Sequence, residues 1–350
     1  GLYQNKLYRN KGDGTFEDVT TRAGIRSDEW SVAAGWFDFD GDGRLDLLVT
    51  NYGRIDLKAP RYCGDATRGL RIYCHPKYYE PRPNQLYRNK GNGVFEDVTK
   101  QAGLAEHKGR GMSIAFADYD ADGRLDAFVT NDNLPNFLFH NLGGGKFEEA
   151  ALLAGVALLD NGKPVASMGT DFRDADGDGR PDLIVTALSG ETFPFFRNTG
   201  NGLFADATAL SGLAKLTNRF AGWGVQFADL DNDGRLDIFT ANSHVNDQVE
   251  KFEAASYKQG NTVFRNRGEG KFELALETTP ARAHRGAALA DLDNDGRLDA
   301  VVTVLGEPVE LWRNTTEGAG HWIAFRVPLG TTVTVDGHTE QMTSSVSYAS

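Results

Sequence analysis

Five nine-residue stretches of this 350-residue chain each place aspartates at positions 1, 3, 5 and 9 and a glycine at position 6. The first set is Asp38, Asp40, Asp42 and Asp46, and the second is Asp118, Asp120, Asp122 and Asp126. Asp174, Asp176, Asp178 and Asp182 make the third, Asp229, Asp231, Asp233 and Asp237 the fourth, and Asp291, Asp293, Asp295 and Asp299 the fifth. Side chains two apart around a sharp turn converge on one point, and four carboxylates converging there need a cation. Position 7 is arginine throughout (Arg44, Arg124, Arg180, Arg235 and Arg297), and its backbone carbonyl can supply a further oxygen. All the donors are hard oxygens. Zinc, copper and iron fit such a set poorly, and magnesium prefers fewer carboxylates and more water. The expectation is calcium, about five ions.

One such loop alone reads equally well as a solvated turn; five with every aspartate in place do not. The loops open like an EF-hand but lack its glutamate at position 12. The segment after each loop is short, apolar and β-branched, as in Leu47-Leu48-Val49-Thr50, and reads as a buried strand rather than a helix.

The elements that must hold the loops repeat with them. Asn5 to Thr20 recurs as Asn84 to Thr99, from Asn136, from Asn261 and, more loosely, from Phe195 to Asp206; each copy is a strand, a glycine turn and a strand. An Ala-Gly pair comes after several copies, then a small-residue strand such as Gly222 to Phe227, then the acidic loop and the apolar strand. The loops recur at intervals of 80, 56, 55 and 62 residues. A four-stranded unit at this period predicts an all-β fold, a β-propeller of six or seven blades, with the small residues nearest the crowded axis. Residues 1–314 read as the propeller and 315–350 as short C-terminal strands.

The repeats resemble the FG-GAP/VCBS family, and the order of features is similar to its cartilage-acidic-protein-like branch, which ends in an ASPIC/UnbV module. The resemblance rests on the repeats, on Ala241 to Val245, on Arg285 to Gly296 and on the insert that carries Cys63 and Cys74. It implies an exported, calcium-binding propeller in an adhesion, matrix or surface role. The Phe-Gly-Gly-Ala-Pro of integrin repeats is absent, so integrin ligand recognition does not carry over. The family pattern also places one more calcium unit before Asn5. The C-terminal runs Trp322 to Val327, Thr332 to Val335 and Ser344 to Tyr348 are therefore expected either to complete a sixth blade or to add to a neighbouring copy, giving a homo-polymer by strand exchange.

Composition agrees with a many-stranded domain: 41 glycines and 11% aromatic residues. Twenty of the 49 acidic residues sit in the five loops, so five divalent ions would bring the net charge of −12 to −2. The acidic balance argues against nucleic acid as a partner. No apolar run reaches membrane-span length, and no charged-then-apolar leader opens the chain. Residues 51–83 interrupt the repeat with Tyr62, Tyr73, Tyr78, Tyr79 and several prolines, either as an aromatic binding loop or as a cover over the propeller face. Cys63 and Cys74 are the only two cysteines, and beside calcium loops they favour a disulfide and an extracellular, cell-surface or periplasmic location.

No zinc-protease, nucleophile-elbow, phosphate-loop or dinucleotide motif is present. His140 stands where sister repeats carry arginine and is read as structural; His244 and His284 read as hydrogen-bonded turn histidines. The chain is therefore expected to be a structural, adhesion or ligand-binding module for a protein or glycan surface ligand, not an enzyme. The second reading is a polysaccharide lyase or hydrolase, or a carbohydrate-binding subunit, working on a propeller face.

Overall fold

The computed structural model describes residues 4–27, 29–56, 58–323, 325–328, 331–335 and 338–342. A hairpin of β1 (Tyr8–Asn10) and β2 (Phe16–Asp18) comes first and places Leu7 and Val19 against the outer side of the first blade. That blade starts with β3 (Trp30–Phe37) and β4 (Asp46–Gly53). The insert comes next, with the short strands β5 (Gly64–Asp65), β6 (Leu70–Arg71) and β7 (Arg82–Pro83), before β8 (Gln85–Asn89) and β9 (Phe95–Asp97) complete the sheet in the order β3-β4-β8-β9. β7 pairs with β10 (Lys108–Gly109) at the entrance to the second blade.

The second blade is β11 (Gly111–Ala117), β12 (Asp126–Asn131), β13 (Phe137–Gly143) and β14 (Lys146–Glu149). The third is β15 (Thr170–Arg173), β16 (Asp182–Val185), β17 (Phe195–Gly200) and β18 (Leu203–Asp206). The fourth is β19 (Gly222–Ala228), β20 (Asp237–Asn242), β21 (Thr262–Asn266) and β22 (Phe272–Glu277). The fifth has three strands, β23 (His284–Ala290), β24 (Asp299–Val304) and β25 (Glu310–Trp312). All neighbours are antiparallel meanders, and the runs read as buried strands after each acidic loop are the second strands β4, β12, β16, β20 and β24.

The described residues thus form a five-bladed β-propeller, not one of six or seven blades. The larger number assumed that both ends of the chain pair with blades. Instead β1 pairs with β2, and β26 (Thr332–Val335) with β27 (His338–Gln341), so each end spends its ladder bonds within its own hairpin. The described residues of 322–327 form no strand, and Ser344 to Tyr348 lie outside the described residues.

The inner strands pack on one another around the axis, β3 on β11, β11 on β15, β15 on β19 and β19 on β23. Small residues are required there: a Cβ on Gly169 would fall 1.9 Å from the Trp223 carbonyl oxygen, closer than any packing tolerates. Six residues ahead of each acidic loop stand Val32, Met112, Met168, Trp223 and Arg285, each on the inner strand except Met168, which lies two residues before β15. Met112, Met168 and Trp223 join Tyr52 in a buried cluster, with Trp30, Val32, Tyr79, Leu188 and Val245 packed against it. Arg285 reaches the same ring of positions, its guanidinium carbon 4.2 Å from the Trp223 ring centre.

Candidate metal centres

Each acidic loop is built the same way from its own backbone. The position-1 carboxylate folds the turn: Asp38 Oδ1 accepts the N–H of Gly41 at 2.9 Å and of Asp42 at 3.1 Å, and its Oδ2 accepts that of Gly43 at 2.8 Å. Asp118, Asp174, Asp229 and Asp291 take the N–H groups of positions 5 and 6 in the same manner. The position-5 carboxylate accepts the N–H of position 7, as Asp42 does from Arg44 at 3.0 Å, and faces the side chain of the same arginine.

Position 9 is buried and ties the loop to the third strand of its blade. Asp46 Oδ1 accepts the N–H of Asn89 at 2.7 Å and its Oδ2 that of Phe39 at 3.1 Å. Asp126, Asp182, Asp237 and Asp299 do the same with Asn141, Asn198, Asn266 and Asn314. Burial pushes Asp46 up to about 7, Asp126 and Asp182 to about 8 and Asp237 to about 6, with the neighbouring loop aspartates adding to the rise.

Position 3 differs from the others. Asp40 Oδ1, Asp120 Oδ1 and Asp231 Oδ1 are buried and have no hydrogen-bond partner. The second oxygen of each faces a basic side chain from the third strand: Arg88 Nε lies 2.8 Å from Asp40 Oδ2, Arg265 Nε 3.1 Å from Asp231 Oδ2, and His140 Nδ1 3.6 Å from Asp120 Oδ2. Arg197 pairs with Asp176, and Arg313 with Asp293 at 2.7 Å.

In four of the loops three of the expected carboxylates come together, though not the same three in each. One oxygen from each of Asp38, Asp40 and Asp42 lies within 4.8 Å of the others, as in the sets Asp118, Asp120, Asp122 and Asp229, Asp231, Asp233. In the third loop the set is Asp174, Asp176 and Asp182, which brings in position 9. Orphaned, buried, all-oxygen donors at these spacings fit a hard divalent cation. The position-7 arginines, whose carbonyls were the expected donors, are held by their side chains: Arg44 Nε donates to Asn89 O at 3.0 Å and Arg124 Nε to Asn141 O at 2.6 Å.

The sequence reading missed Arg88, Arg197, Arg265 and Arg313. The signal was present, because each stands directly before the repeat's asparagine, Asn89, Asn198, Asn266 or Asn314. His140 occupies the same place, with Nδ1 also 3.3 Å from Asp126 Oδ1, so that it groups with Asp120 and Asp126 within 4.8 Å as a further set of donors in the second loop. His244 and His284 are buried and hydrogen-bonded: His244 Nδ1 accepts the Asn246 N–H at 3.1 Å, and the ring nitrogens of His284 lie 3.0 Å from Gln259 O and 3.1 Å from Glu310 Oε2.

The sequence profile of the FG-GAP-like repeat matches residues 3–49, 77–129, 118–185, 174–240 and 252–302, so that each match ends just past one of the five acidic loops. The chain belongs to the FG-GAP-like repeat family. Cartilage acidic protein 1 of Mus musculus is 25% identical over 334 residues, covering 92% of this chain and 47% of that protein. The Homo sapiens protein of the same name is 25% identical over 333 residues, with 92% and 46% covered. The chain thus spans about half the length of these curated relatives. Among solved structures, an Agrocybe aegerita lectin described as recognising non-reducing terminal N-acetylglucosamine has a TM-score of 0.47 at 18% identity, with 89% of this chain and 74% of that one covered. A Bacillus licheniformis rhamnogalacturonan lyase has a TM-score of 0.37 at 14% identity, with 86% and 58% covered.

Residues 50–76, most of the insert, lie between the first two matched repeats. Cys63 and Cys74 are joined in a disulfide with their Cα atoms 5.2 Å apart. Among the described residues no helix is long and apolar enough to cross a membrane.

Proposed function

We propose that each of the five acidic loops holds one calcium ion and that the protein is an extracellular, calcium-stabilised binding module. The observation that carries this reading is the set of buried oxygens Asp40 Oδ1, Asp120 Oδ1 and Asp231 Oδ1, each without a hydrogen-bond donor and each beside further carboxylates of its loop. A buried carboxylate oxygen left in that state costs free energy that a bound cation removes. Asp38, Asp40, Asp42 and Asp46 and their counterparts would hold the ion, with the carbonyl of Arg44 and its counterparts. Calcium, when bound, supplies a fixed double positive charge that neutralises the clustered carboxylates.

The chain's own residues carry that local order outward. The position-1 aspartate shapes the turn, the position-9 aspartate fastens it to the third strand, and the basic residue on that strand balances position 3. The disulfide and the likeness to cartilage acidic protein support an oxidising location. The test is metal analysis of protein purified in calcium and then dialysed: about five ions per chain are expected, and a protein holding none overturns the reading.

A further inference from the structure

The insert between β4 and β8 has the opposite charge to its protein: residues 54–83 carry seven lysines and arginines and three acidic side chains in a chain of net charge −12. Its shape is fixed from within. The disulfide closes the β5-β6 ribbon, and Gly64 is required inside it, since a Cβ there would fall 2.1 Å from the Leu70 carbonyl oxygen. The ribbon crosses the propeller face to the fourth blade. Tyr73 N–H donates to Asn246 Oδ1 at 3.0 Å, and Gln248 Nε2 donates to Arg71 O at 3.1 Å. At its base Tyr79 packs on Trp30 and Tyr52 of the axial cluster, with ring centres 5.6 and 5.8 Å away.

This bridge frames a cleft of about 610 Å³. Arg54, Arg61 and Arg71 line it together with Tyr73, Tyr78 and Tyr79, while Asp56, Asp247 and Gln248 supply hydrogen-bond acceptors. Arg61 and Arg71 make no ion pair among the described residues, and Arg54 approaches Glu29 only to 3.9 Å. The Arg61 guanidinium carbon lies 4.4 Å from the Tyr78 ring centre, and a guanidinium can pair with an anion through two N–H groups at once. Tyr73 is 61% exposed, so one aromatic ring stands open beside the guanidinium groups, while the Tyr78 ring carries Arg61 and, at 5.3 Å, the Lys77 ammonium.

We propose that this cleft binds an acidic oligosaccharide: a sugar ring packs on Tyr73, hydroxyls hydrogen-bond to Asp56, Asp247 and Gln248, and the anionic groups pair with Arg71 and with Arg61, which Tyr78 supports from beneath. The assignment rests on the reading of the protein as a binding module and names its ligand class. An exposed tyrosine ring beside arginines and the carboxylates of Asp56 and Asp247 suits a pyranose, whose hydroxyls donate to those carboxylates while its anionic group meets the guanidinium groups; the side chains of an acidic peptide bring acceptors only. The anion can be a uronate carboxylate or a sulfate, and both meet arginine in the same way.

The test is calorimetric titration of the calcium-loaded protein with an oligogalacturonate tetrasaccharide, a heparin tetrasaccharide and neutral cellotetraose. Binding of at least one acidic tetrasaccharide, weakening as salt rises, is expected, with little or none of the neutral one. Whichever acidic sugar binds identifies the anion. The double variant Arg61→Ala/Arg71→Ala is expected to lose about tenfold or more in affinity while keeping the same melting temperature and calcium content. Tyr78→Ala supplies an independent check with the charges left in place, and should also weaken binding. No binding of either acidic sugar, an undiminished affinity in both variants, or tighter binding of poly-aspartate overturns the proposal. Calcium content measured on the same sample separates the two failures: protein that holds its calcium but binds no sugar sinks only the cleft.

Discussion

Asn141 of the second blade donates its side-chain Nδ2 to the backbone carbonyl of Phe39 in the first acidic loop, at 2.9 Å and across 102 positions of sequence. The same amide reaches Leu125 O of its own blade, so one side chain fastens two adjacent loops. The contact recurs as Asn198 to Tyr119 O, Asn266 to Ala175 O and Asn314 to Leu230 O. Asn141→Ala leaves the buried Phe39 carbonyl without this donor and should cost about 1–3 kcal/mol. Calorimetry checks the loss of stability, and calcium titration of the variant should show weaker binding at the first two loops. A variant as stable as the parent would show that the blades are held by packing alone.

Calcium removal should act on the whole fold, because the loops lie at the blade junctions. At free calcium about five times the dissociation constant each site adds roughly 1 kcal/mol, and five such sites rival the net stability of a domain. Chelation with EDTA should lower the melting temperature and broaden the transition. Identical melting curves with and without EDTA would count against calcium as a structural ion.

Asp231→Ala should be more local. It removes one carboxylate from the fourth loop and leaves Arg265 without its partner at 3.1 Å. One calcium equivalent should disappear, and hydrogen exchange should quicken in β20 and β21 before it does in β12 and β13. Uniform exchange across all blades would show that the loops do not act individually.

Much of this was readable in the residues and some was not. The aspartate spacing revealed the loops, because position-to-position geometry within a tight turn is local. The strands after the loops were equally plain, since Leu47 to Thr50 and its counterparts in β12, β16 and β20 are continuous buried runs. Blade number was not plain: repeats can be counted from sequence, but whether β1 or β26 pairs with a blade or within its own hairpin depends on contacts between distant segments. The contact of Tyr73 with Asn246, 173 positions apart, has no periodic signal at all. Gly24, Gly103 and Gly155 of the Ala-Gly pairs illustrate the middle case. Their recurrence was visible, but its cause, a close approach of each to the carbonyl of Phe95, Phe147 or Phe204 on the outer strand of a neighbouring sheet, was not.

Removing the disulfide should affect the insert far more than the propeller. Cys63→Ser/Cys74→Ser takes away about 2–3 kcal/mol of constraint on a short loop. Limited proteolysis should cut near residues 58–72 faster, while the main melting transition stays in place. A large fall in the main transition would mean that folding of the propeller itself depends on the disulfide.

Stability should decline in mild acid partly through His244. Burial holds its imidazole below the ordinary value of 6.5, so the folded state favours the neutral ring. That contribution is fully present above about pH 6.5 and is lost as the pH falls through the depressed folded value, where the unfolded chain takes up a proton more readily. Glu250, Glu253 and Arg285 are the charged groups that act on it. Thermal unfolding at saturating calcium from about pH 7.5 to 5 should fall less steeply in His244→Asn, which keeps an acceptor for the Asn246 N–H. Parallel slopes for the two proteins would place the titration elsewhere.

The bridge from β6 to the fourth blade has a mechanical consequence. Blades joined only edge to edge around an axis can splay like the ribs of a fan, each junction yielding a little. A strut that leaves the first blade, is closed on itself by Cys63 and Cys74, and is hydrogen-bonded at Asn246 and Gln248 makes a triangle of that arc. Force pulling the first and fourth blades apart must then break the strut before it can share its load among the intervening junctions, and those junctions, the Asn141 and Asn198 links among them, are shielded until it does.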